Sequence, residues 1–161
     1  MTLHPKTSRP NMPSYGLKPA DQGTGLKPWA YAVERLVRTR GYWLSTVSEH
    51  GAPHAMPIWG IWSRDHFVFS TALSSRKARN MARDPRVVVG VEPTDDAIVL
   101  EGTASLVEDA AWRGEIVTLY TAKYGMGIEP GEPYAVRPTR AFSFSTAPGD
   151  FEGGSTRWTF T

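Results

Sequence analysis

The chain of 161 residues contains no cysteine. That removes disulfides, thiolate metal sites and cysteine nucleophiles at one stroke. Long apolar runs are missing too. Nothing approaches the roughly 18 consecutive apolar residues that mark a membrane helix, so no membrane span is expected. The amino terminus carries no apolar signal core, so export by that route is not expected, and a cytoplasmic location is the expectation. Excess charge is small: 18 Lys and Arg stand against 16 Asp and Glu, for a net charge of +2. Nucleic-acid binding calls for a clustered cationic face, and only residues 76–83 come near one, so no nucleic-acid partner is expected. The histidines, His4, His50, His54 and His66, number four and show no metal-ligand spacing such as H-E-x-x-H; no metal is expected. There is no Gly-rich dinucleotide fingerprint, no Walker loop and no visible nucleophile–base pair. Asp95, Asp96 and Glu101 read as turn and strand-surface residues, so no catalytic residue is assigned.

What is present is a dense succession of strands. Residues 1–28 hold five prolines (Pro5, Pro10, Pro13, Pro19, Pro28) without apolar periodicity, the composition of a flexible or extended arm, with an arm that wraps a partner subunit as the functional alternative. The rest, 29–161, reads as one domain, long enough to bury about 68–70% of its unfolded surface. Trp29, Val33, Leu36 and Val37 fall at helical spacing, with Gly41 as a left-handed stop. Residues 42–47 are a strand, 49–51 a turn closed by Gly51, and 53–62 a strand in which Pro57 requires an edge or bulge. His66–Thr71 alternates, and a helix opens at Ser74 or Ser75 and ends before Pro85. Arg86–Val91 is β-branched, as for a strand buried on both faces; 92–96 is a turn, and 97–107 a long strand with a bend or bulge at Gly102. Asp109 caps a helix that Gly125 ends. Residues 126–132 form a loop, 134–136 and 140–145 are strands interrupted at Pro138, and 147–155 is glycine-rich. Arg157, Trp158 and Phe160 place aromatics where a fraying end would have none, so this end docks on something. Six or seven closely spaced strands without βαβ periodicity predict a mainly β fold, an antiparallel barrel with peripheral helices.

The stretch suited to chemistry is 70–80. A strand ending in Ser70 and Thr71 feeds a helix whose first turn holds Ser74, Ser75, Arg76 and Lys77. Hydroxyls and cations at a helix N-terminus suit a phosphate; the alternative is a solvated amphipathic helix with Ala78, Met81 and Ala82 inward. Beside it, Met56, Pro57, Ile58 and Trp59 offer a flat apolar wall for a planar ring. A phosphate cradle next to such a wall, without an acid–base set, points to a redox-cofactor binder.

Taken in order, these segments resemble a known family. They are Tyr42-Trp43-Leu44-Ser45-Thr46-Val47, residues 51–59, Phe69-Ser70-Thr71, Ser75-Arg76-Lys77-Ala78-Arg79-Asn80-Met81, Asp84-Pro85-Arg86-Val87 and residues 99–104. The pattern is similar to the flavin/deazaflavin-dependent split-barrel proteins, the pyridoxamine 5′-phosphate oxidase-like family, and most closely to their actinobacterial deazaflavin-using branch. The resemblance implies a split antiparallel β-barrel and a homodimer with cofactor sites at the subunit interface. It implies that Ser75, Arg76 and Lys77 bind the cofactor phosphate, that Ser70, Thr71 and Asn80 line the same pocket, and that Met56, Pro57, Ile58 and Trp59 contact the ring. It also implies that Arg157 and Trp158 reach the partner's site. Ser75 stands where several relatives carry another basic residue. The implied activity is hydride transfer between coenzyme F420 and a small conjugated acceptor. The alternatives are an FMN-dependent oxidase or reductase, and a non-catalytic cofactor or tetrapyrrole binder.

Overall fold

Along residues 42–47 burial alternates: Tyr42, Leu44 and Thr46 are buried, whereas Trp43 and Val47 are exposed. This is the two-residue period of a strand with one face on a core. The computed structural model describes every residue except 1–2, 21, 23–24, 92–93 and 129–130. Its elements in chain order are β1 (Lys6–Ser8), α1 (Trp29–Arg38), β2 (Tyr42–Val47), β3 (Pro53–Ile58), β4 (Ile61–Ser63), β5 (His66–Thr71), α2 (Arg76–Arg83), β6 (Arg86–Val91), β7 (Asp96–Leu106), α3 (Ala110–Tyr124), β8 (Glu132–Ser145), α4 (Asp150–Gly154) and β9 (Thr156–Thr159).

The strands run β1-β9-β8-β7-β6-β2-β3, with β5 joined to β8 and β4 to β5. Every pairing is antiparallel. The centre of the design is β8. One of its edges pairs with β7 from Tyr134 to Ser145. The other edge divides, pairing with β5 over Glu132–Val136 and with β9 over Arg140–Ser143. The sheet therefore parts instead of closing, which makes the fold a split antiparallel β-barrel. The parting point carries a register shift: Glu101 faces Arg140, Gly102 faces Pro138, and Thr139 has no residue opposite it in the register, its hydroxyl donating to the Glu101 carbonyl at 3.2 Å. A Cβ at Gly102 would lie 2.3 Å from the Arg137 carbonyl oxygen, so glycine is required where the strands bend together. This bulge also corrects the expected interruption at Pro138, because the extra residue absorbs a proline without ending the strand.

The main core lies inside the barrel, where Phe67 and Phe69 of β5 meet Tyr42, Leu44, Val89, Ile98 and Leu100. Val68 and Ala135 face the other way, onto Ile116 and Tyr120 of α3. So β5 and the first half of β8 are buried on both faces; in β6 only Val87, Val89 and Val91 are buried, while Val88 and Gly90 are half-buried. The expected strand over 53–62 is two strands separated at Trp59 and Gly60. The first helix stops at Arg38 with an extended Thr39, and Gly41 is not among the residues with positive φ. The glycine-rich stretch 147–155 contains α4. Of the turn expected at 92–96, residues 92–93 lie outside the described residues and Asp96 already belongs to β7.

Residues 1–28 are more ordered than their composition suggests. β1 pairs with β9, placing Ser8 opposite Arg157. Arg9 is 1% exposed and its guanidinium donates to the carbonyls of Gln22, Glu152 and Gly153. A buried cation whose two terminal nitrogens donate to three carbonyls ties this segment to α4. At the far end Trp158 is fully enclosed. Its ring meets Trp29 edge-on at 5.4 Å, and its indole N–H donates to the Lys27 carbonyl at 3.2 Å. The carboxy-terminal end thus docks on its own barrel. Trp158→Ala is expected to cost about 3–5 kcal/mol of stability, the usual penalty for deleting a large buried aromatic; denaturant unfolding checks it, and a loss below about 1 kcal/mol would place the ring outside the core.

Candidate functional site

β3 is an edge strand, paired among the described residues with β2 alone. Pro57, opposite Trp43, is tolerated there because an edge needs no second ladder of donors. After Ile58 the chain turns at Trp59 and Gly60. Gly60 packs so tightly on the Phe67 ring that a Cβ would lie 2.2 Å from it. Trp59 is thrown outward, 49% exposed, and stacks on Tyr124 with ring centroids 5.0 Å apart and planes 8° from parallel.

β5 ends on Ser70 and Thr71, and a short turn delivers the chain to α2. Ser75 caps that helix: its Oγ accepts from the Ala78 N–H at 3.1 Å and from the Thr71 hydroxyl at 3.0 Å. The Ser70 hydroxyl donates to the Ile128 carbonyl at 3.1 Å. Between these parts lies a cavity of about 460 Å³, lined by Gly41, Pro57, Ile58, Trp59, Ser70, Thr71, Lys77, Tyr120, Gly131 and residues 126–128. Residues 129–130 of the neighbouring loop lie outside the described residues. Gly131 is needed where it stands, since a Cβ there would come within 2.3 Å of Ser70 Oγ.

Six of the sequence-predicted residues meet in this cavity: Pro57, Ile58, Trp59, Ser70, Thr71 and Lys77. The others do not line it. Met56 is exposed beside it. Ser75 spends its oxygen on the helix cap. Arg76 opens onto a different cleft, with Arg79, Arg83 and His50. Successive residues on a helix point about 100° apart, and here Arg76 and Lys77 open onto different clefts. Asn80 is buried and donates to Thr46 Oγ1 at 2.9 Å, a structural bond rather than a ligand contact. Arg157 donates to Ser8 Oγ at 3.1 Å, and Trp158, with no exposed surface, has nothing to offer a partner's site. Sequence reasoning missed Gly41 and Tyr120, whereas the loop 126–132 reads from sequence as shaping the open side of the pocket, and its residues 126–128 and 131 line the cavity. The available signal was Tyr120, Lys123 and Tyr124 at i, i+3 and i+4, which share one face of a helix.

Charge separates this cavity from its neighbours. A larger one, about 540 Å³, opens over β2, β6 and β7 and contains Arg86 and Arg140. Both are neutralised, Arg86 by Asp84 at 2.6 Å and Arg140 by Glu101 at 2.8 Å. Lys77 has no carboxylate partner among the described residues. An unneutralised ammonium at one end and a Pro57–Ile58–Trp59 wall at the other fit an anionic group joined to a flat ring. Among the described residues no group of three or more His, Asp or Glu is placed to hold a metal.

A split barrel with a cation-bearing cavity beside its edge strand places the protein in the split-barrel class. Residues 32–148 match the family model described as pyridoxamine 5′-phosphate oxidase, and the chain belongs to that family, which includes oxidoreductases. Among solved structures, the conserved hypothetical protein Rv2991 from Mycobacterium tuberculosis is 20% identical with a TM-score of 0.67, over 77% of this chain and 88% of its own. A protein named F420 reductase is 22% identical with a TM-score of 0.57, over 67% and 93%. A heme binding protein from Mycobacterium smegmatis is 21% identical with a TM-score of 0.61, over 76% and 56%. No curated protein matches the chain by sequence.

His54 reports on the charge at the start of α2. Its imidazole is held below its ordinary value, first by burial and then by the charges of Arg76 and Lys77. The unfolded chain therefore takes up this proton first, so His54 contributes a loss of stability as pH falls below about 6.5. Lys77→Ala is expected to raise the His54 pKa, and an anion bound at Lys77 to do the same. Titration of the histidine ring protons by NMR checks this; a His54 curve unmoved in Lys77→Ala would contradict it.

Proposed function

We propose that the cavity holds coenzyme F420, with FMN as the alternative, and that the protein transfers a hydride between that cofactor and a small conjugated organic acceptor. The observation that carries this reading is Lys77, an ammonium with no carboxylate partner among the described residues, in the same cavity as the apolar wall of Pro57, Ile58 and Trp59. When bound, the cofactor supplies the hydride chemistry through its ring. The chain supplies position and electrostatics. Lys77 holds the phosphate by charge-assisted hydrogen bonds, worth about 1.5–3 kcal/mol each. The Ser70 and Thr71 hydroxyls direct their protons to the Ile128 carbonyl and to Ser75, so their part is to keep the loop and the helix cap in place around the phosphate. Pro57 and Ile58 orient the ring, Trp59 covers one side of it, and Tyr120 closes the cavity away from water.

The functional unit in this reading is a cytoplasmic homodimer. Trp43 on β2, Met56 on β3 and Trp59 beyond it are exposed apolar side chains around Pro57, which lines the cavity, and a second copy would cover them. The site would then lie at the subunit interface, with the acceptor entering past residues 126–128. The neighbour named F420 reductase supports the deazaflavin, whereas the heme-binding neighbour favours a carrier role.

Separate ultraviolet-visible titrations with F420 and FMN test the proposal. F420 is expected to bind with a perturbed spectrum and to reduce a conjugated acceptor in its reduced form. Lys77→Ala is expected to weaken binding about 10- to 100-fold. Binding of FMN alone would select the alternative, and no spectral change with either would overturn the reading.

A further inference from the structure

Three side chains on one face of α3 hold the break between β3 and β4. Tyr120 donates its hydroxyl to the Trp59 carbonyl at 2.7 Å. Lys123 donates from Nζ to the Gly60 carbonyl at 2.9 Å and to the Tyr42 hydroxyl oxygen at 2.7 Å. The Tyr124 oxygen accepts from the Gly60 N–H at 2.9 Å and lies 2.8 Å from the Gly60 carbonyl oxygen, while its ring carries Trp59. Both backbone polar groups of Gly60 are thus satisfied by α3. Gly60 cannot move inward, because Phe67 fills that space. The outward direction is restrained by these bonds.

Lys123 is the unusual member of this set. Its ammonium is half-buried and has no carboxylate partner among the described residues. The groups that face it are the rings of Tyr42 from β2 and Tyr124 from its own helix, at 5.1 Å and 5.5 Å. The other charge nearby is Arg40, which donates to the Lys123 carbonyl. Carbonyl and hydroxyl acceptors, with no compensating negative charge, leave this lysine poised. Burial, helped by Arg40, brings its pKa down to about 8.

We infer that Lys123 is a positioning residue for the cavity: it fixes the Gly60 carbonyl, and with it the Trp59 wall, while it carries its charge. A charged donor makes shorter and stronger bonds than a neutral amine, so loss of the proton loosens the hold on Gly60. The consequence for ligand affinity rests on the reading of the cavity as a cofactor site; the hold on Gly60 does not.

Two readouts on the intact protein test the inference. In ligand-free protein, the Gly60 amide and the Trp59 indole N–H are followed by ¹⁵N NMR from about pH 6.5 to 9.5, a window that spans the ordinary histidine value and stays below that of an ordinary lysine. Both signals are expected to shift together with an inflection near pH 8. Burial pushes the ionisation of Tyr42, Tyr120 and Tyr124 upward, so they stay neutral there. Lys123→Arg, charged throughout, is expected to give flat curves at the low-pH wild-type position, and Lys123→Met flat curves at the high-pH position. An absent inflection in the wild type, or one that survives in Lys123→Arg, overturns the inference; both results are readable even if Lys123→Met does not fold. In the second readout, F420 or FMN affinity is expected to weaken about tenfold across the same window in the wild type, the equivalent of one weakened charged hydrogen bond, and to stay flat in Lys123→Arg. Affinity equal in both proteins at every pH overturns the positioning role. An inflection at Gly60 with no binding of either cofactor supports Lys123 and overturns the cofactor reading instead.

Discussion

The contact between Gly60 and the Phe67 ring is the constraint on which the rest of the structure depends. With no side chain, Gly60 lets the chain turn directly against the barrel core, and a methyl group in its place would sit 2.2 Å from the ring. Because the turn is made there, β3 remains an edge strand and β4 folds back to pair with β5. β5 then reaches β8, and the barrel divides along that strand. The same turn throws Trp59 out onto Tyr124 and so raises one wall of the cavity. Fold and candidate site meet at one residue with no side chain.

Electrostatics then decide which cavity matters. In two other cavities the cations are balanced, Arg35 by Asp96, Lys27 by Asp150, Arg86 by Asp84 and Arg140 by Glu101, while the cleft of Arg76, Arg79 and Arg83 keeps cations but has no apolar wall. Exposed pairs of this kind contribute about 0–1 kcal/mol to stability, but they remove the attraction of those surfaces for a free anion. Lys77 has no such partner among the described residues and keeps its charge available there. Its location beside an apolar wall supports the cofactor reading more than the size of the cavity does, since the larger cavity over β2, β6 and β7 has its cations neutralised.

Much of this was legible in the sequence wherever local chemistry decides the outcome. The strand at 42–47, the Gly51 turn, the opening of a helix at Ser74 or Ser75, the Asp109 cap and the Gly125 stop are written in adjacent residues, and each stands in the structure, whereas the expected alternation over 66–71 gives way to burial on both faces. The bulge at Gly102 was legible for the same reason, since glycine within a strand marks a bend or a close approach. What sequence could not supply was direction. Arg76 and Lys77 are chain neighbours, yet which of them faces the cavity depends on how α2 lies on the barrel. Trp158 read correctly as docked but was assigned outward, because nothing local says that Trp29 waits 5.4 Å away in the same chain. β1 escaped notice because an edge strand of three residues in a proline-rich segment has no period to show. Lys123 escaped because its acceptors, Gly60 and Tyr42, lie far from it in sequence.

The central claim is that Lys77 and the Trp59 wall form the two ends of one site for a phosphate-bearing planar cofactor. A crystal structure of the protein grown with F420, or with FMN, tests it most directly. The account predicts the phosphate within hydrogen-bonding reach of Lys77 Nζ and the ring against Pro57, Ile58 and Trp59. A phosphate seated instead among Arg76, Arg79 and Arg83, with the Trp59 wall bare, would contradict it.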